Sequence, residues 1–314
     1  MKDLIKQALK EDIGRGDITT NVLIAPKQQA KAVIVAKQSG VIAGLNIAKA
    51  VFVKLDKNIK FKPLVKDGDK VTAGKKIVEI IGNTRAILTA ERTALNFLAH
   101  LSGIATLTRQ FVDKIKPYKV SILDTRKTTP GMRLLEKYAV KCGGGVNHRI
   151  GLWDGVLIKD NHIAAINYKL SAIRKKLPKN IPIEIEVRNL TEFKDALKAM
   201  PNIILLDNMN IKQIKEAVKI RNLKLKAYSL KLKAVLLEVS GGVNLSNVRQ
   251  FVKAGVDRIS IGALTHSAKA LDLSLEVISM RKFEFWVTKI KKCDKIFDSA
   301  VKATEFLNKR IKSI

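Results

Sequence analysis

The sequence predicts an α/β protein: a parallel α/β barrel preceded by a region of short antiparallel strands. Three observations carry this. Six apolar, β-rich runs recur in the second half, at 120–124, 154–160, 181–187, 202–207, 233–241 and 257–263, with helical patterns such as "TEFKDALKAM" and "IKQIKEAVKI" between them. Near-continuous hydrophobic strands joined by helices imply a parallel sheet covered on both faces. No Gly-x-Gly-x-x-Gly fingerprint follows the first of these strands, which favours a barrel over a dinucleotide-binding sheet.

The elements follow in chain order. "QAKAVIVAKQSGVIAG" (29–44) and "KFKPLVKDGDKVTAGKKIVEIIGN" (60–83) alternate apolar and polar residues around Gly/Asp turns, as short antiparallel strands do. "AILTAERTALNFLAHLSGIATLTRQFVDKI" (86–115) is one long amphipathic helix leading to the barrel. A further short strand is expected near "VNHRIGL" (146–152). The domains expected are 1–115, 116–270 for the barrel, and 271–314, a C-terminal segment packing back on the first. In that last segment Trp286, Ile290, Cys293, Phe297, Ala300, Thr304, Leu307 and Ile311 alternate four- and three-residue steps, predicting a basic helical extension from about 281.

Composition narrows the class. With 314 residues and 46% hydrophobic content the chain can bury a full core. Cys142 and Cys293 are its two cysteines and are far apart, so neither a disulfide framework nor a Cys-rich metal site is expected. The start lacks an apolar signal region, and "GVIAGLNIAKAVFVKL" is broken by Asn46 and Lys49 before it could span a bilayer. A cytoplasmic protein with no membrane partner is expected. The formal charge of +31 comes from lysines spread along the whole chain, with no dense basic block interleaved with aromatics. Compositional bias explains this better than a nucleic-acid surface does, although a positive field would also draw in anionic small molecules.

The polar residues fall at the strand ends. "ILDTRKTTPG" (122–131) passes from two buried-strand residues straight into Asp124, Thr125, Arg126 and Lys127. Other tips carry Lys159-Asp160-Asn161, Glu184 and Glu186, Asp207-Asn208, Ser240-Gly241-Gly242 and Gly262-Ala263. In parallel barrels the site lies at the carboxyl ends of the strands, so these groups converge on one mouth. Arg126, Lys127, His148, Arg149 and Lys159 form a cationic set suited to carboxylate or phosphate oxygens. Glu186 and Asp207 can hold Mg²⁺ through a phosphate ligand, or bind sugar hydroxyls. The glycine turns at 241–242 and 262 are expected at helix N-termini, where backbone N–H groups cradle phosphate. A polycarboxylate and a phosphorylated sugar are the substrates this mouth describes. Each residue has a plainer reading alone: Arg126 and Arg149 as surface ion pairs, Glu186 paired with a lysine, His100, His148 and His162 as structural histidines.

The segments "ERTALNFLAHLSGIAT", "DTRKTTPGMRLLEKYAVKCGGGVNHRIGLWDGVLIKDNH", "EIEV", "ILLDNM", "EVSGGV" and "SIGALTHSAKALDLSLE" closely resemble the quinolinate phosphoribosyltransferase family over about residues 4–278. The resemblance implies an N-terminal α/β sandwich and an incomplete, seven-stranded α/β barrel of the type II phosphoribosyltransferase kind, in a homodimer with shared active sites. It implies transfer of a phosphoribosyl group from phosphoribosyl pyrophosphate to quinolinate with decarboxylation, with Mg²⁺ as cofactor. By the resemblance Arg92, Thr125, Arg126, His148, Arg149 and Lys159 hold quinolinate. Lys127, Glu186, Asp207, Ser240, Gly241, Gly242, Ile261, Gly262 and Ala263 hold the phosphoribosyl substrate. Lys127, Glu186 and Asp207 act in catalysis, and Glu186 and Asp207 face the Mg²⁺. Arg188 departs from the family pattern, which has an acid or small polar residue there, and is expected to touch no site residue. The alternatives are a related phosphoribosyltransferase acting on another pyridine carboxylate, or a basic nucleic-acid-binding protein.

Overall fold

The computed structural model describes residues 2–159, 181–227 and 235–281. Asn161, His162 and the helical extension expected from about 281 lie outside them.

The first region is built on a four-stranded antiparallel sheet. Helices α1 (Lys2–Ile13) and α2 (Ile18–Leu23) precede β1 (Gln29–Ala36) and β2 (Gly40–Val41). Helix α3 (Leu45–Leu55), strands β3 (Lys60–Pro63), β4 (Lys70–Val71) and β5 (Lys76–Asn83), and helix α4 (Thr84–Lys114) follow. Asp17 starts α2 by accepting from Thr20 N, and Asn83 starts α4 by accepting from Ala86 N, each satisfying an orphan helix donor. The sheet order is β12-β1-β5-β3, so its edge is supplied by β12 (Leu273–Arg281), the last described strand. It runs antiparallel to β1 from Gln29↔Arg281 to Ala36↔Leu273. The chain therefore leaves the barrel and returns to the first sheet.

The second region comprises β6 (Ser121–Leu123), α5 (Arg133–Cys142), β7 (Val156–Ile158), β8 (Ile183–Val187), α6 (Leu190–Lys198), β9 (Ile203–Asp207) and α7 (Ile211–Ala227). It continues through β10 (Leu236–Ser240), α8 (Val248–Lys253), β11 (Arg258–Ser260) and α9 (Ala263–His266). The strands form a parallel sheet in the order β6-β11-β10-β9-β8-β7. Because the first strand pairs with the last, the sheet curls into a barrel. The strand expected near 146–152 is reduced to a single parallel bridge, Leu123↔Val146, and among the described residues no pairing joins it to β7. The barrel is open along that seam.

Helix α4 joins the two regions. Its apolar stripe (Ile87, Ala90, Ala94, Leu98, Leu101, Ile104, Ala105) is fully buried, packing against α3 and the antiparallel sheet at one end and α5 and β6 at the other. Among the described residues no helix is long and apolar enough to cross a membrane.

Candidate functional site

A cavity of about 710 Å³ opens at the carboxyl ends of the barrel strands. Thr125, Arg126, Lys127, His148, Arg149, Lys159, Glu186, Asp207, Ser240, Gly241, Gly242, Ile261, Gly262 and Ala263 all line it. Of the residues that the resemblance assigned to substrates, Arg92 is missing from the wall; of the strand-tip groups, Asp124 and Glu184 are missing too, and Asp160 and Asn161 lie outside the described residues. Arg92 is exposed on α4, beside Glu91, whose carboxyl is raised by burial and lowered in part by the Arg92 charge.

The segment after β6 is fixed before any ligand arrives. Asp124 is fully buried; its carboxylate pairs with Lys137, accepts the His148 backbone N–H at 2.9 Å and is met by the Asn147 amide. Lys127 O accepts from Thr265 Oγ1 at 2.6 Å, and Thr129 N donates to Glu136 Oε2 at 3.1 Å. Glu136 Oε1 in turn meets His100 Nε2 of α4 at 2.8 Å. Arg133 Nε donates to Thr128 Oγ1 at 3.0 Å. Three residues of α5, spaced i, i+3 and i+4 and so on one face, hold the cationic loop. The sequence pattern of α5 hid this: Leu134 is 70% exposed, whereas Glu136 and Lys137 are buried. Burial lowers the Lys137 pKa, with Asp124 pulling the other way.

Arg126 and Arg149 form the electrostatic centre of the cavity. Burial, and then the nearby Arg126 charge, depress the Arg149 pKa. Each has a buried Nε with no hydrogen-bond partner, and Arg149 Nη1 donates to Gly155 O at 2.9 Å. Two neighbouring guanidiniums with unfilled donors form a site made for an anion.

His148 behaves otherwise than expected. It reaches the wall, but its Nδ1 accepts the Arg149 N–H at 2.8 Å and its Nε2 lies 3.0 Å from Glu184 and 3.4 Å from Glu238. Burial opposes charge on the ring, yet the two acids outweigh it and raise the pKa. With Nδ1 accepting the Arg149 N–H, Nε2 is the nitrogen that can donate, and it faces Glu184. Both ring nitrogens are thus engaged within the protein. Burial and the Glu184 charge raise the Glu238 pKa, and Arg258 Nε stands 2.8 Å from Glu238. His148, Glu184 and Glu238 bring ligand-type atoms within 4.8 Å of one another. A metal on Nε2 would force the ring proton to Nδ1, against the Arg149 N–H, so this trio does not fit a metal.

Opposite the arginines, Glu186 is buried and receives Lys159 Nζ at 2.6 Å. Asp207 ends the adjacent strand. Asn208 follows at φ 52°, donating its N–H to Ser240 O at 2.9 Å. Its side chain fills the space where a Cβ on Gly241 would sit, 2.1 Å from Asn208 Oδ1, so a side chain at 241 would require Asn208 to move. The expectation of glycine turns directly at helix N-termini holds for Gly262, the N-cap of α9, and needs correcting for Gly241 and Gly242. Helix α8 starts at Val248, because the Asn244 side chain builds a turn of its own by accepting from Ser246 N and Asn247 N. Helix α9 is only four residues long. At Ser240–Gly242 the N–H groups that could meet an anion belong to a loop around left-handed glycines, whereas at 262 they start a short helix.

The wall also holds residues to which the sequence reading gave no role in the site, among them Arg188 and His266. Arg188 corrects the expectation that it touches no part of the site; it lies one residue past β8 and lines the cavity. Its signal was its place two residues after Glu186, on the same face of the strand end. His266 follows Gly262 by one helical turn, and its Nε2 and the Lys127 side chain each stand 3.1 Å from where a Gly262 Cβ would be.

Comparison with known proteins agrees with this geometry. Residues 17–102 match the quinolinate phosphoribosyl transferase N-terminal domain and residues 104–276 the C-terminal domain of the same family. A probable nicotinate-nucleotide pyrophosphorylase [carboxylating] from Methanocaldococcus jannaschii is 44% identical over 281 residues, covering 88% of this chain and 96% of its own. One from Synechocystis is 43% identical over 277 residues, covering 87% and 91%. The solved nicotinate-nucleotide pyrophosphorylase of Francisella tularensis superposes with a TM-score of 0.79 at 44% identity, covering 88% of this chain and 95% of that one. Human nicotinic acid phosphoribosyltransferase, at 12% identity and a TM-score of 0.59, shares the fold alone. With both of its domains matched in order and the cationic cavity at the barrel mouth, this chain belongs to the quinolinate phosphoribosyltransferase family.

Proposed function

We propose that the protein transfers a phosphoribosyl group from phosphoribosyl pyrophosphate to quinolinate with loss of CO₂, giving nicotinate mononucleotide and pyrophosphate for NAD biosynthesis. The observation that carries this is the pair of partly buried guanidiniums, Arg126 and Arg149, each with a buried Nε that has no acceptor among the described residues. Quinolinate brings two adjacent carboxylates, a match for two adjacent cations. Family membership and the names of the relatives support the same reading.

The chemistry asks little of the protein in proton transfer. The pyridine nitrogen has a free lone pair, so no general base is needed. Glu186 and Asp207 stabilise the positive charge that develops on the ribose as the bond to pyrophosphate breaks. Lys127 and the loop amides at Ser240–Gly242 and Gly262–Ala263 hold the phosphate oxygens. The ribosylated nitrogen becomes cationic and its charge stabilises the electron pair that stays on C2 as CO₂ departs; that pair then takes a proton from water.

Glu186 and Asp207 fit Mg²⁺. They are two carboxylates at neighbouring strand ends, with no histidine or third acid grouped with them among the described residues, leaving positions for phosphate and water oxygens. When bound, the ion would neutralise charge on the departing pyrophosphate.

We read Arg92 as completing the site of a partner subunit in a C2 homodimer. Its exposure and its distance from its own cavity wall support this. So do Ile18 and Val22, 81% and 76% exposed on α2, which packs against α4 and would give a dimer apolar surface to bury. The sparse cysteines, of which Cys142 is free, support a cytoplasmic setting.

The test is an assay with quinolinate, phosphoribosyl pyrophosphate and Mg²⁺, following CO₂ and nicotinate mononucleotide. Equal turnover with nicotinate would refute the dicarboxylate assignment. For the shared site, inactive Arg92→Ala and Asp207→Ala variants are mixed under conditions that exchange subunits. Activity should reappear; exchange without activity would show that Arg92 does not act in trans.

A further inference from the structure

Helix α5 carries buried charges that touch no substrate in the proposed reaction. Lys137 is 2% exposed and Asp124 0%. Removing such a pair of ions from water costs several kcal/mol per ion, and well-packed apolar residues would stabilise a core at least as well. Their value therefore lies in what they orient.

We propose that Asp124 and Lys137 are positioning residues that clamp the backbone of His148 and thereby aim Arg149 at the carboxylates of quinolinate. Lys137 Nζ donates to His148 O at 2.9 Å, and His148 N donates to Asp124 Oδ1 at 2.9 Å. The two ends of one ion pair thus hold the two backbone groups of one residue. Asn147 Nδ2 reinforces the clamp by meeting Asp124 and donating to Lys137 O at 2.8 Å. Asp124 stands at the end of β6, two residues before Arg126, whereas His148 immediately precedes Arg149. The clamp is thus what sets the spacing between the two guanidiniums. Held from both sides, the His148–Arg149 peptide can hold Arg149 against the repulsion of Arg126, which a mobile loop would relieve by moving away. Beyond the single Leu123↔Val146 bridge, no strand pairing among the described residues holds this segment, and the clamp takes over there.

This inference rests on the assignment of Arg126 and Arg149 to the quinolinate carboxylates. The test uses steady-state kinetics with each substrate varied, and melting temperatures, on full-length Lys137→Met, Asp124→Asn/Lys137→Met and Arg149→Ala. Lys137→Met leaves a buried carboxylate unpaired and should lower the melting temperature sharply. The double variant holds no buried charge and should recover most of that loss. Its KM for quinolinate should nevertheless stay about tenfold or more above wild type, since small misplacements of binding groups are costly. Its KM for phosphoribosyl pyrophosphate should stay within about twofold. Recovery of both melting temperature and quinolinate KM would overturn the clamp while leaving the carboxylate assignment standing. An unchanged quinolinate KM in Arg149→Ala would instead overturn the assignment, and the clamp with it. If the double variant does not fold, Asn147→Ser removes one arm of the clamp, and an equal change in both KM values would overturn the proposal.

Discussion

Adjacent glycines at the tip of β10 should respond oppositely to the same substitution. At Gly241 φ is +94°, and an alanine Cβ would lie 2.1 Å from Asn208 Oδ1 and 2.5 Å from its Cγ. At Gly242 φ is +62°, close to the left-handed helical minimum, and nothing lies within 4 Å of the added carbon. Gly242→Ala therefore meets only the left-handed penalty, about 1–2 kcal/mol. Gly241→Ala meets a comparable penalty plus an overlap of the kind that costs about 1–3 kcal/mol in packed regions. The overlap reaches Asn208 Cγ as well as Oδ1, so turning the amide end alone does not clear it, and the whole side chain or its backbone has to move. The strain is expected to be relieved by shifting both tips, and Asp207 moves with Asn208. Steady-state kinetics with phosphoribosyl pyrophosphate varied should show kcat/KM falling about 100-fold for Gly241→Ala, the scale of a misplacement near 1 Å. Gly242→Ala should stay within about threefold of wild type, with both variants folded by thermal melt. Equal losses in the two variants, or a Gly241→Ala enzyme with wild-type kinetics, would refute the reasoning.

Arg149→Ala should raise the KM for quinolinate by about 10- to 150-fold, the equivalent of one charged hydrogen bond at about 1.5–3 kcal/mol, whereas Asp207→Ala should impair use of phosphoribosyl pyrophosphate and Mg²⁺; the same substrate-specific defect in both would refute the division of the cavity. Arg188→Ala should weaken phosphoribosyl pyrophosphate by several-fold with quinolinate unaffected, as measured by separate KM values; no change in either would place Arg188 in the wall without a role in binding. Asp113 is held by Lys116 and Lys70, each at 2.8 Å, which lower its pKa from 3.8 to about 2. Because the folded pKa is depressed, its stabilisation is present above pH 3.8 and lost as pH falls towards 2. Solvent screening keeps it below about 1 kcal/mol. The melting-temperature gap between wild type and Asp113→Asn should thus be small at pH 6 and shrink as pH drops through 4 to 3; a gap independent of pH would refute it.

The barrel was legible because its signals are local. A parallel strand buried on both faces must be apolar throughout, so "NIILLD" and "IPIEIEV" announce themselves within a few residues. The site was legible for a related reason: charged groups immediately after buried strands have only the barrel mouth to occupy, and the structure brings Arg126, Lys127, Arg149, Glu186 and Asp207 together there. The return strand β12 was less clear, because its partner β1 lies some 240 residues earlier and no local pattern names a partner at that distance.

What the sequence by itself determined was the fold class, the end of the barrel that carries the site and the chemical types gathered there. Each follows from which side chains tolerate burial and which do not. Tertiary structure alone decided that the nitrogens of His148 turn to Glu184 and the Arg149 N–H, that Arg188 joins the wall, and that Glu136 and Lys137 bury their charges against the loop of Arg126 and Lys127. It also decided that a side chain would meet Asn208 at Gly241 but not at Gly242. These outcomes depend on which distant polar groups meet. A hydrogen bond takes whichever partner lies within about 3 Å at a favourable angle, and residues 124, 137 and 148 acquire that proximity only when the chain has folded.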